Sequence, residues 1–244
     1  MRKTMLCGIL ILVISQNSFA QKNNSHQSEQ WFDSGLTRYE KGNYQEAIVY
    51  LSKFIKKNPQ NEDACLLRNM CYRQTGKFEV VIEDATMMLM KFPRNADLYY
   101  ARAYAYAAVG ENRLAIKDYS KAIKLNPEKA NVFYNRGISY DEAGKLQKAI
   151  DDFSRAIELN PGDADFYFSR ALLYESLNKS EPAILDYSKA IELNPCDAEV
   201  YYYRASLFAQ EKDFDNACTD LQKVLEMNYE MDEAEIIYDS FCDK

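Results

Sequence analysis

The 244-residue chain has one histidine and one tryptophan, and it has no apolar run long enough to cross a bilayer. The histidine, His26, stands in a polar stretch near the N-terminus. Ser-His-Asp and Cys-His mechanisms and histidine-ligated metals therefore lack their central residue. There is no glycine-rich loop to cradle a phosphate. Paired carboxylates such as Asp151-Asp152 are neighbours on a helix, so they point different ways and read as solvated charges. The chain reads as a non-enzyme with no cofactor. It has no CxxC pair and no Cys/His cluster, which leaves no zinc pattern. Basic residues are fewer than acidic ones, 30 against 37, for a net charge of −7. The Lys/Arg footprint of a nucleic-acid binder is missing, and basic or neutral partners are favoured. Glycine and proline number only 8 and 6, and they mark periodic turns instead of filling a flexible linker.

What is present begins with an export signal over residues 1–20. Arg2 and Lys3 precede the apolar run Met5 to Ile14, and Ser18-Phe19-Ala20 offers small residues where a signal peptidase cuts. Cleavage after Ala20 leaves a polar mature N-terminus over 21–27 and a periplasmic or secreted protein. A lipoprotein signal at Cys7 is disfavoured because little apolar sequence precedes it; a retained signal anchor is the other alternative. No later segment could span a membrane. Five cysteines lie beyond the leader, Cys65, Cys71, Cys196, Cys218 and Cys242, an odd number without regular spacing. Export places them where disulfides form. Cys218 with Cys242 is the pair to test first, and burial as small apolar side chains is the alternative.

Pro59, Pro93, Pro127, Pro161 and Pro195 are each 34 residues apart, and four of the five follow an asparagine. A fixed period of this size marks a solenoid of like units. Counting the proline as position 32 gives six units: 28–61, 62–95, 96–129, 130–163, 164–197 and 198–231. Each holds two amphipathic segments separated by a turn at Gly42, Gly76, Gly110 or Gly144, where a helix end wants positive φ. Asn178 and Lys212 take that place in the last two units; lysine tolerates it poorly, so a wider turn is expected there. Pro182 falls in the first turn of a second helix, with Ser180 as its expected cap. Small residues recur where helices must approach, at Ala103, Ala115 and Ala122, then Gly137, Ala149 and Ala156, then Ala171, Ala183 and Ala190. The second unit has Asn69, Val81 and Met88 instead, with Met87, Met90, Cys65 and Cys71 nearby. Flexible methionine fills irregular gaps, so looser packing or an altered crossing angle is expected over 62–95; a soft-metal site is the other reading of that sulfur.

This pattern resembles the tetratricopeptide repeat over 28–231, nearly all of the mature chain. The resemblance implies an all-α, right-handed α-α superhelix of antiparallel helix pairs, each unit leaning on its neighbours. After the sixth unit, 232–244 (DEAEIIYDSFCDK) places Ala234, Ile237, Tyr238 and Phe241 on one helical face, as the family's capping helix would.

Arginine recurs at position 7 (Arg68, Arg102, Arg136, Arg170, Arg204) and aspartate at position 23 (Asp84, Asp118, Asp152, Asp186, Asp220). Both are missing from the first unit, which has Ser34 and Tyr50, and both are present in the other five. This co-occurrence predicts structural ion pairs within each unit, Arg102–Asp118, Arg136–Asp152 and Arg170–Asp186 among them, instead of an anion-binding ladder.

The family binds ligands mainly on the concave face of its first helices, at positions 2, 5, 6, 9, 12 and 13. Position 5 reads Phe32, Leu66, Tyr100, Tyr134, Phe168 and Tyr202, and position 2 is mostly acidic. Tyr104 and Asn135, at positions 9 and 6, join the candidate face. It would hold a protein or peptide segment bearing apolar and basic residues, unless position 5 only packs against neighbouring helices. On the groove reading, Tyr100→Ala with Tyr134→Ala abolishes capture and spares helicity. The family's carboxylate clamp is not expected, because only Asn135 matches it. The expected function is an interaction scaffold. A self-associating subunit of an envelope assembly is the alternative, and carbohydrate stacking on the aromatic stripe ranks third.

Overall fold

The computed structural model describes residues 27–227 and Cys242. The leader expected over 1–20 and the capping helix expected over 232–244, Cys242 apart, lie outside the described residues. The described residues form helices and turns, with no strand among them. The chain divides into two compact halves, one ending at Glu111 and the other beginning at Asn112.

The first half holds α1 (27–40), α2 (Tyr44–Lys57), α3 (Glu62–Gln74), α4 (Phe78–Lys91) and α5 (Ala96–Ala108). Its helices pack in chain order, α2 on α3, α3 on α4 and α4 on α5, and α3 also meets α5. The second half holds α6 (Asn112–Leu125), α7 (Ala130–Glu142), α8 (Leu146–Leu159), α9 (Ala164–Ser176), α10 (Ser180–Leu193), α11 (Ala198–Gln210) and α12 (Phe214–Glu226), packed in the same sequential manner. Odd-numbered helices are the first (A) helices of the repeats, and even-numbered ones are the second (B). The boundary between halves separates α5 from α6, the two helices of the third repeat.

The prolines act as the period suggests. α2, α8 and α10 end at Lys57, Leu159 and Leu193, two residues before Pro59, Pro161 and Pro195. The residue before proline is pushed out of the helical region, and proline itself cannot donate onward. The next A helix is then capped from its own sequence: Asn61 accepts from the Ala64 N–H at 2.8 Å, and Asn95 from the Leu98 N–H at 3.0 Å. Between A and B helices, Gly42, Gly76, Gly110 and Gly144 take φ of 76°, 69°, 79° and 69°.

Two sequence expectations fail at these turns. The wider turn expected at Lys212 does not form: Lys212 takes φ 64°, and the Asp213 N–H reaches the Phe208 carbonyl at 2.8 Å, as the Lys145 N–H reaches that of Tyr140 at 2.8 Å. The turn keeps the shape of its glycine counterparts, and lysine absorbs the strain. Lys212→Gly should relieve it and raise stability by about 1 kcal/mol, read as a higher urea midpoint. Nor does Ser180 cap α10. The left-handed Asn178 (φ 55°) sets the register, so Ser180 is the first helical residue and Lys179 stands at the cap with no side-chain bond.

Helices approach closely where the sequence is small. A Cβ on Gly137 would come within 2.6 Å of the Phe153 ring, and one on Gly35 within 2.7 Å of Leu51. In the second repeat Asn69 stands at this position, and the B-helix residue in the place of Phe153 is only Ala85. Asn69, Val81 and Met88 are as buried as the alanines they replace, but the Asn69 Oδ1 has no hydrogen-bond partner among the described residues. The departure in this repeat is thus a misfit of polarity more than of volume. Its sulfur is divided, Cys65 and Cys71 being fully buried and Met87 and Met90 exposed.

Cys218 and Cys242 form a disulfide, with Cα atoms 5.6 Å apart. Cys242 packs against the cluster of Ala205, Leu221 and Val224, so the far C-terminus is tied to α12.

Candidate functional site

Each A helix from α3 onward carries an arginine at position 7 of its repeat, and nearly all of that arginine's capacity is used internally. Arg136 forks onto Asp152 with both contacts at 2.7 Å. Arg170 meets Asp186 at 2.7 and 2.8 Å, and Arg204 meets Asp220 at 2.8 and 2.7 Å. Arg68 grips Asp84 in the same bidentate way. Arg102 belongs to the first half and Asp118 to the second. These carboxylates are buried. Burial works against the Arg136 and Arg170 charges, but the hydrogen bonds and charges of Asp152 and Asp186 outweigh it and hold both pKa values above the ordinary one. At Asp84 the balance reverses: burial lifts its pKa more than Arg68 and Asn69 lower it.

The remaining guanidinium nitrogen ties each repeat to the one before it. The Nη1 atoms of Arg136, Arg170 and Arg204 donate to the hydroxyls of Ser120, Ser154 and Ser188 at 3.0, 2.9 and 2.9 Å. Arg68 reaches Ser52 at 3.3 Å and Arg102 reaches Thr86 at 3.0 Å. The three serines in the second half donate in turn to the carbonyls of Ile116, Ile150 and Ile184. Rings close both faces of the guanidinium: Phe133 and Tyr140 lie 5.7 and 5.6 Å from Arg136, and Tyr167 and Tyr174 lie 6.0 and 5.8 Å from Arg170. An arginine so enclosed has little left for a ligand. The first repeat improvises: Arg38 bonds Glu46 at 2.7 Å and lies 4.3 Å over the Tyr50 ring.

The serine link was missed in the sequence, although it carried a signal. Position 25 reads Ser52, Thr86, Ser120, Ser154 and Ser188, and then Gln222 in the sixth repeat, which no further arginine follows. A residue present in every repeat but the last, paired with one absent from the first, is the signature of contact between repeats.

The position-5 row is half-buried throughout. Phe32 meets Phe54 at 5.1 Å between ring centroids. Tyr134 meets Phe153 and Phe166 at 5.5 and 4.8 Å, and its hydroxyl pairs with Ser169 at 3.1 Å. Phe168 touches Tyr187 and Tyr203 at 5.9 and 5.6 Å, and Tyr202 touches Tyr203 at 5.9 Å. Tyr100 and Tyr104 lie 6.5 Å apart, and Leu66 packs against the core of the first half. The two readings of this row are not exclusive, since each ring leans on the core and keeps an edge outside. Truncating Tyr134 would therefore also remove core packing, so Tyr100→Ala with Tyr134→Ala is a poor test of capture alone.

Carboxylates border this row in the second half. Burial and then Glu142 raise the Asp141 pKa; burial and then Asp163 and Asp197 raise that of Asp165. Both would gain from a nearby cation. Asn135 donates to the Asn131 carbonyl of its own helix at 2.7 Å. Buried Tyr187 donates to Glu175 at 2.7 Å, and burial with that bond drives its pKa far up. Among the described residues no group of His, Cys, Asp or Glu side chains could hold a metal, and no helix is long and apolar enough to cross a membrane.

Sequence models of the tetratricopeptide repeat match residues 31–61, 130–163, 164–195 and 198–231, and a further TPR-repeat model matches 107–144. A search of the curated proteins returned no match. Among solved structures, MamA is similar at 27% identity and a TM-score of 0.62, over 64% of this chain and 92% of that one. A thermophilic TPR protein of Thermus thermophilus is similar at 23% identity and a TM-score of 0.59, over 75% and 99%. YrrB, whose structure is described as a TPR protein with an unusual peptide-binding site, is similar at 18% identity and a TM-score of 0.66, over 78% and 97%. Repeats of this kind imply protein partners. With helix pairs recurring at one step, and repeat models matched over more than half of its length, the chain belongs to the tetratricopeptide-repeat family.

Proposed function

We propose that this chain is a non-enzymatic scaffold, exported to the periplasm or beyond the cell, that holds a segment of another protein along the exposed face of its A helices. The observation that carries this reading is the contrast between two sets of side chains on the same helices. The position-7 arginines are consumed by internal bonds, while the aromatic row stays half-exposed beside Asp141 and Asp165, neither of which forms an ion pair among the described residues. Rigid rings give contact area at small entropic cost, and unneutralised carboxylates select lysine or arginine in the partner. The peptide-binding site named for YrrB, a protein of the same fold, supports this use of the scaffold.

The test is capture of a partner by crosslinking in the protein's own envelope, comparing wild type with Asp165→Lys/Glu199→Lys. Both side chains border the face outside the hydrophobic clusters, so the fold should survive, as far-UV circular dichroism would verify. Capture should fall about tenfold or more, the scale of losing a charge-assisted contact. Affinity should also weaken as pH falls through the raised pKa values of Asp141 and Asp165, because protonation removes the charges that attract the partner. Undiminished capture by the double variant would contradict the proposal. Mass that rises with concentration in light scattering, untouched by these changes, would favour the self-associating alternative.

A further inference from the structure

One cation on the candidate face is not consumed by the arginine ladder. Positions 2, 5, 6, 9, 12 and 13 of the six A helices carry many carboxylates but a single basic residue, Arg73 on α3. Its guanidinium lies 5.0 Å over the Tyr104 ring of α5, and its charge opposes the burial that pushes up the pKa of the neighbouring Tyr100. No carboxylate among the described residues forms an ion pair with it. One turn earlier on α3, Met70 keeps 38% of its surface exposed, with half-buried Leu66 before it. On the other side the Phe78 ring stands 6.4 Å from Tyr104.

We infer that the α3–α5 face recognises an apolar partner segment through one carboxylate side chain, an Asp or Glu seated on Arg73. This rests on the scaffold reading and deepens it by assigning the first half a different chemical preference from the acidic second half. The occupant follows from charge complementarity. A guanidinium held over a tyrosine ring, in no ion pair among the described residues and with apolar surface around it, fits a carboxylate better than water does. Apolar surface on both sides of Arg73 suits a chain that runs past the site instead of one that ends there. The acidic border (Glu29, Asp63 and Asp97) disfavours a second carboxylate and limits the match to one.

The test selects random peptides displayed on phage against the full chain, then measures the winners as synthetic peptides amidated at the C-terminus, so that only side-chain carboxylates are present. A family of winners should share one Asp or Glu among apolar residues and lose about tenfold in affinity to Arg73→Gln. Arg73→Lys should recover part of that loss, and Arg73→Glu should select Lys or Arg at the same place. Winners that bind wild type and Arg73→Gln equally overturn the inference. If such winners still fail on Asp165→Lys/Glu199→Lys, the scaffold reading stands without it. If no peptide is enriched at all, both fail. Unchanged thermal midpoints of the Arg73 variants separate lost contact from lost folding.

Discussion

Asp186→Ala should be among the most damaging single substitutions in the chain, at a cost of about 3–5 kcal/mol. The change leaves Arg170 with two donors unpaired in a site where its side chain is only 18% exposed. A stranded buried charge costs far more than a lost surface pair. The Lys189–Glu192 pair on the same helix, 38% and 68% exposed, should matter by less than about 1 kcal/mol. For a chain of this length the loss corresponds to a fall of roughly 6–20 °C in thermal midpoint. The damage should spread to both sides, because Arg170 also holds Ser154 of the repeat before, and Ser188 on the weakened helix holds Arg204 of the repeat after. Replacing both partners, Arg170→Met with Asp186→Leu, should recover most of the stability, since two apolar side chains need no desolvation. A double variant as unstable as Asp186→Ala would mean that the pair does more than neutralise itself.

Removing the disulfide should cost about 3 kcal/mol. The Cys218–Cys242 bond closes a loop over a sequence separation of 24, and a closed loop of that size restricts the unfolded chain by that order. The bond also holds Cys242 against Ala205, Leu221 and Val224. Cys218→Ser with Cys242→Ser, or mild reduction of the wild type, should lower the urea midpoint, with the earliest loss in α11 and α12. Equal midpoints with and without reductant would contradict this. The other described thiols are poorly placed to interfere: Cys65 and Cys71 are buried, and burial raises both pKa values, that of Cys71 to about 11. Cys196 is the exposed one.

Much of this was legible in the sequence, and the gaps have physical causes. Helix pairs, turns and terminators follow from residues with restricted backbones, Gly42 or Pro161 for example, whose demands are local. The pairing of Arg170 with Asp186 follows from which repeats possess both residues. The same arithmetic applied to Ser154 and Gln222 would have exposed the link between repeats, but serine on a helix reads as generic polarity until an arginine is known to face it. The strain at Lys212 escaped because that turn keeps the shape of its glycine counterparts, and the uncapped start at Ser180 because left-handed Asn178 sets the register there. The position-5 row could not be decided from sequence, because a ring such as Tyr134 satisfies the core and the surface at once. The division at Glu111 carries no mark in the period at all. Arg73 is the one basic residue at the candidate-face positions, but its approach to Tyr104 on another helix has no mark in the period.

The central claim is that the A-helix face receives another protein while the B helices serve as scaffold. The most direct measurement is site-specific photo-crosslinking in cells that express the protein, with the photoreactive residue placed at Leu172 on α9 or at Leu185 on α10, the latter 69% exposed. The account predicts a discrete adduct with a different polypeptide from Leu172 and none from Leu185. An adduct from Leu185 alone, or from Leu172 only at twice the mass of the chain, would contradict it.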